Sequence, residues 1–69
     1  MLRYKANILK ELKDAGYSTY RLRQEKVLSE GTLQKMRSGN IAITLESLGV
    51  ICDILQRQPG DLVEWVKNP

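Results

Sequence analysis

With 69 residues, 42% of them hydrophobic and 28% charged, the chain has room for one folded domain, residues 1–69, with too thin a core for a deep active-site cleft. Histidine is absent and Cys52 is the only cysteine, so neither an internal disulfide nor a zinc site of the Cys/His kind can be assembled. The net charge of +3 is uneven: residues 1–40 hold nine Lys and Arg against four acids, and residues 41–69 hold two against four, so the first half carries either a phosphate-binding surface or merely solvated helix faces.

From Tyr4 to Ala15 the apolar residues Tyr4, Ile8, Leu9, Leu12 and Ala15 recur at helical spacing, and Gly16 supplies the stop. Ser18 stands as the N-cap of a second, short helix over Thr19–Lys26. Val27-Leu28 is a tight connection, because Ser29 is again an N-cap and Glu30 places an acid where the dipole of a third helix favours it. That helix runs from Glu30 to Ser38 and ends at Gly39-Asn40. Thr44 caps a fourth helix with an apolar stripe of Leu45, Leu48, Ile51, Cys52 and Leu55, in which Gly49 permits a close helix contact and Cys52 is a buried, inert thiol. Pro59 fits the first position of a fifth helix through Val66. The expected fold class is all-α, a compact bundle of five short helices with no strand.

The second and third helices, residues 19–38, are joined by so few residues that they form a helix-turn-helix corner. Leu33 and Met36 point inward at helical spacing, whereas Glu30, Gly31, Thr32, Gln34 and Lys35 are all hydrogen-bonding or very small. Such a helix can offer donors and acceptors to base edges while its other side stays docked in a core. Glu30 can be a reader of cytosine or only a first-turn acid, and Tyr20 can stack inward or reach a phosphate.

On these residues the chain resembles the lambda-repressor-like, Cro-type (Xre family) helix-turn-helix regulators of phages and bacteria. Tyr17-Ser18-Thr19-Tyr20-Arg21-Leu22 is similar to the family's entry into its second helix. Leu28-Ser29-Glu30-Gly31-Thr32-Leu33 is similar to its turn and the start of its recognition helix. Arg37-Ser38-Gly39 matches its exit, and Gln58-Pro59-Gly60-Asp61-Leu62 the start of its fifth helix. The resemblance implies a sequence-specific transcriptional regulator, a repressor of bacterial or phage genes, with double-stranded operator DNA as partner and the third helix in the major groove. It places base reading at Glu30, Gly31, Gln34 and Lys35, to which the polar run of the third helix adds Thr32, and phosphate binding at Thr19, Tyr20, Ser38 and Asn40. Ser18 at the head of the second helix and Arg23 and Lys26, on the short helix expected to cross the backbone, are further phosphate-binding candidates read from their positions. Exposed amides at the head of the second helix suit an anion by themselves. Three positions depart from the family's pattern: Arg23 and Lys26 stand where a small and an apolar residue are usual, and Val27 replaces the usual turn glycine.

Leu62, Val63, Trp65 and Val66 give the C-terminal segment more large apolar groups than one helix face buries. Either they close the core or Leu62, Trp65 and Val66 form the seam of a homodimer. No glycine-rich phosphate loop or spaced carboxylate pair suggests an enzyme, so no catalytic residue, metal, cofactor or small-molecule ligand is expected. With no apolar run near the ~20 residues that span a bilayer and no secretory signal at Met1-Leu2-Arg3-Tyr4, the expected address is the cytoplasm, on the nucleoid when bound to DNA, with no membrane partner. The rival reading is a helical module that binds protein only, as an antitoxin-like or anti-repressor partner does; it leaves the basic half and the polar third helix unexplained.

Overall fold

A computed structural model describes residues 1–67. In chain order it contains β1 (Leu2–Tyr4), α1 (Ile8–Asp14), α2 (Thr19–Gln24), α3 (Glu30–Arg37), α4 (Leu45–Leu55), α5 (Pro59–Leu62) and β2 (Val63–Trp65). The five helices are present and the molecule is predominantly α-helical, as the apolar spacing predicts.

The helix starts are local chemistry. The side chains of Asn7, Ser18, Ser29 and Thr44 each accept a hydrogen bond from the backbone N–H three residues on, at 3.0–3.2 Å. At α5, behind Pro59, the Asp61 carboxylate accepts from the Gln58 N–H at 3.1 Å and the Asp61 N–H returns to the Gln58 carbonyl at 2.9 Å. The first three helices stop in one manner. The N–H groups of Tyr17, Val27 and Asn40 reach back to the carbonyls of Leu12, Leu22 and Lys35, at 2.8–3.0 Å, each across a left-handed residue. Those residues are Gly16, Lys26 and Gly39, at φ of 95°, 54° and 77°.

Lys26 therefore does the work expected of a glycine at Val27, one position earlier. The shift has a packing reason: Val27 is half-buried and Leu28 fully buried, and both enter the core only if the chain reverses before them. A lysine in this conformation carries strain of roughly 1 kcal/mol. Lys26→Gly is accordingly expected to raise the melting temperature by several degrees, since ~1 kcal/mol is worth about 4–8 °C in a domain of this size. An unchanged or lower midpoint in a thermal melt contradicts it.

At both termini the structure corrects the sequence reading. Tyr4 does not begin α1, and the helix predicted through Val66 ends at Leu62. Residues 2–4 and 63–65 instead pair as an antiparallel ribbon, with Leu2 opposite Trp65, Arg3 opposite Glu64 and Tyr4 opposite Val63. An Arg3–Glu64 ion pair of 2.8 Å lies on one face of it. The Lys5 N–H continues the pairing to the Leu62 carbonyl at 2.9 Å, and the amino terminus to Val66. Strand geometry alternates side chains, so Leu2, Trp65, Tyr4 and Val63 share the other face. Tyr4 and Val63 pack against the core; Leu2 and Trp65 remain 52% and 68% exposed.

The core is made of Ile8, Leu12, Leu22, Leu28, Leu33, Met36, Ile51 and Leu62, one or two from each helix and one from the turn between α2 and α3. α1 packs on both α3 and α4, and α5 closes against α4. An Arg57–Glu11 pair of 2.8 Å ties α1 to the corner between α4 and α5. Two expectations for α4 fail. Leu45, its first residue, lies 85% exposed. Gly49 faces open space, with nothing within 4 Å of an added Cβ, so it serves no close contact. Cys52 is half-buried against the core.

Candidate nucleic-acid interface

Eight residues of α3 make little more than two turns, at about 100° per residue. Leu33 and Met36 fall on one side and are buried, and this docks the helix. Glu30, Gln34, Ser38, Gly31 and Lys35 follow one another around the opposite arc, and all five are exposed. Thr32 sits at the rim of that arc, half-buried, with its hydroxyl 2.9 Å from the Ser29 hydroxyl. It reinforces the cap more than it presents a polar atom outward. A Cβ on Gly31 would meet only the Ser29 hydroxyl, at 4.0 Å, so this glycine lowers the outer surface of the helix and makes no internal contact.

Among the described residues Lys35 and Gln34 have no side-chain ion pair or hydrogen bond, which leaves their donors and acceptors available. Glu30 differs. Its carboxylate receives the Arg23 guanidinium across the turn, Nε to Oε2 at 2.6 Å and Nη2 to Oε1 at 3.4 Å. The two expected roles, cytosine reader and phosphate binder, thus fall on residues that hold each other.

Of the remaining residues expected at phosphate, Lys26 lies in the turn and the others near the two ends of the helix-turn-helix. Ser18 spends its oxygen on the Arg21 N–H, Thr19 is half-buried at the head of α2, and Tyr20 is 70% exposed, so its ring points outward and not into the core. Arg21 is engaged elsewhere: its guanidinium lies 4.2 Å over the Tyr17 ring and bonds Glu25 at 2.6 Å, a hydrogen bond that holds its pKa above the ordinary arginine value. Lys26 is exposed, without an ion pair among the described residues. Ser38 returns its hydroxyl hydrogen to the Lys35 carbonyl at 3.1 Å. Asn40 accepts from the Ala42 N–H at 2.9 Å, which leaves its amide hydrogens available, and its carbonyl takes the Tyr4 hydroxyl at 2.8 Å. Burial pushes the Tyr4 phenol pKa up, so it stays a donor and pins the loop after α3 to the ribbon.

The sequence reading missed a second cationic cluster. Lys10 and Lys13 of α1, Thr19 of α2 and Arg37 of α3 line a single open groove beside the head of α2. Lys10 and Lys13 are three apart on one helix face, a visible signal, but their meeting with Arg37 needs the tertiary fold. Of the expected seam, Leu62 is fully buried in the core of its own chain and has no surface to offer a second copy. Trp65 and the half-buried Val66 remain available.

Among the described residues no group of three or more metal-ligating side chains gathers, and no helix is long and apolar enough to cross a membrane. Comparison with curated proteins finds no match, and neither does comparison with solved structures. A family model does match, over residues 7–68, from the α1 N-cap to past the ribbon. The matched span takes in the two short capped helices α2 and α3, the buried Leu22 and Leu33, and the exposed polar arc of α3. The chain belongs to the Cro/C1-type helix-turn-helix DNA-binding domains.

Proposed function

We propose that this DNA-binding regulator is a sequence-specific repressor of bacterial or phage genes that lays α3 in the major groove of operator DNA and binds as a two-fold dimer. The observation that carries the reading is the exposed arc of α3, where Gln34 and Lys35 flank Gly31 with no internal partner among the described residues. Lys35 suits guanine and Gln34 suits adenine. Thr19, Tyr20, Lys26, Ser38 and Asn40 serve the backbone, joined by Lys10, Lys13 and Arg37 in the groove beside them. Lys35→Ala is expected to cost ~1–3 kcal/mol at the preferred site and relax the choice at one position per half-site, with random duplex much less affected. Retained specificity in a binding titration would remove Lys35 from the readers.

Lys26 links the site to the fold. Its replacement by glycine, expected to stabilise the protein, is expected at the same time to flatten the salt dependence of binding by about one counterion. A titration of random duplex at several salt concentrations checks this, and an unchanged slope takes Lys26 off the phosphate face.

One module covers only ~600–1,000 Å² of protein surface, little for tight specific binding, which supports a dimer. Leu2 and Trp65, opposite each other and exposed, supply an apolar surface for its seam. Selection of bound sequences from a random duplex pool tests the whole reading. The expected result is a palindrome with half-sites about one turn, ~34 Å, apart. A single non-repeated element bound by one protomer overturns the dimer, and a pool without enrichment overturns sequence-specific binding and leaves the exposed ribbon as evidence for a protein-binding module.

A further inference from the structure

The Arg23–Glu30 pair spans the turn between α2 and α3, and its geometry restricts what either residue can do. Glu30 takes the side edge of the guanidinium, made by Nε and Nη2. The end edge, made by Nη1 and the outer hydrogen of Nη2, remains as a planar pair of donors. Both side chains stay half-exposed, so the pair is accessible to a ligand. Glu30 is also the first residue of α3, and the N-terminal residues of a recognition helix are those that meet base edges.

Two acceptors suit a guanidinium end edge, a phosphate and the O6/N7 edge of guanine. The carboxylate decides between them. A phosphate on the outer edge would bring a second anion close to Glu30, whereas guanine offers the same two acceptors with no net charge. We propose that Arg23 reads one guanine of each half-site through its Nη edge, and that Glu30 is a positioning residue that holds the guanidinium for it, not a reader of cytosine. The proposal rests on the DNA-binding reading and adds a specificity-determining residue from α2 to those on α3.

Arg23→Lys keeps the charge and loses the planar fork, Glu30→Ala loses the support, and the double variant joins them. Each is expected to fold, because neither side chain belongs to the core, and circular dichroism verifies it. With the wild-type protein, replacing the read guanine by adenine is expected to weaken binding roughly ten- to a hundredfold. In Arg23→Lys that penalty is expected to shrink to a few-fold while the salt dependence stays as it was. Glu30→Ala is expected to lose the preference at the same base position, and the double variant to lose nothing more.

Because a lysine can itself donate to guanine, Arg23→Met is measured beside it, and full guanine preference in both variants assigns the residue to phosphate and overturns the proposal. A change in Glu30→Ala at a cytosine that Arg23→Lys leaves intact makes Glu30 an independent reader and overturns it equally. These failures occur with an enriched site in hand. A wild-type selection without enrichment is a different result, which removes the functional reading and this inference with it.

Discussion

Gly31→Leu is expected to abolish specific DNA binding while the helix content of the protein stays unchanged. A Cβ at this position meets nothing but the Ser29 hydroxyl, at 4.0 Å, and the position lies between Glu30 and Lys35 on the exposed arc. An added leucine therefore extends away from the core and holds α3 off the groove floor. The hydrogen bonds that discriminate bases act over about 3 Å, so a displacement of a side chain's length removes all of them together. Affinity for the selected site is expected to fall toward that for random duplex, a gap of roughly 10³-fold or more in specific binders. The phosphate contacts proposed for α2 and for the groove beside it are expected to persist, so random duplex is expected to remain bound. Circular dichroism with titrations of both duplexes gives the answer. Lost helicity would show that Gly31 packs inward, and retained specificity would show that α3 does not read DNA.

Two residues further along the same helix, the opposite result is expected. Leu33 is fully buried, as are Leu12, Leu22, Ile51 and Leu62, so Leu33→Ala leaves a cavity in the core these residues share. Large-to-small changes of this kind cost ~2–5 kcal/mol. A domain of this length commands only about 3–10 kcal/mol in total. The variant is thus expected to melt at least 10 °C lower, or to be largely unfolded at 37 °C, and to lose random and specific duplex alike. A thermal melt within a few degrees of the wild type would mean that α3 is docked by other contacts. Together the two substitutions separate the arc of α3 that faces outward from the arc that holds it in place.

The parts of this molecule legible in the sequence are those made by residues three to five apart. Ser18, Ser29 and Thr44 cap helices because each hydroxyl bonds an amide in its own next turn. Gly16 and Gly39 end helices because the left-handed conformation costs glycine nothing there. Leu33 and Met36 face inward because helical spacing puts them on one side. From these the helix-turn-helix and the exposed face of α3 follow, and the family match agrees with them. Other features needed partners that sequence distance conceals. Three-residue strands carry no periodic signal, so the pairing of Leu2 with Trp65 and the shortening of α1 and α5 are set by the chain ends meeting on the core. That meeting also decides that Leu62 is core while Trp65 is surface. Lys26 takes a left-handed turn, at a cost a glycine would avoid, because Val27 and Leu28 must both reach the core. Arg23 and Glu30 became a pair only when α2 and α3 closed on each other, which is why their separate roles could not be read from either helix alone.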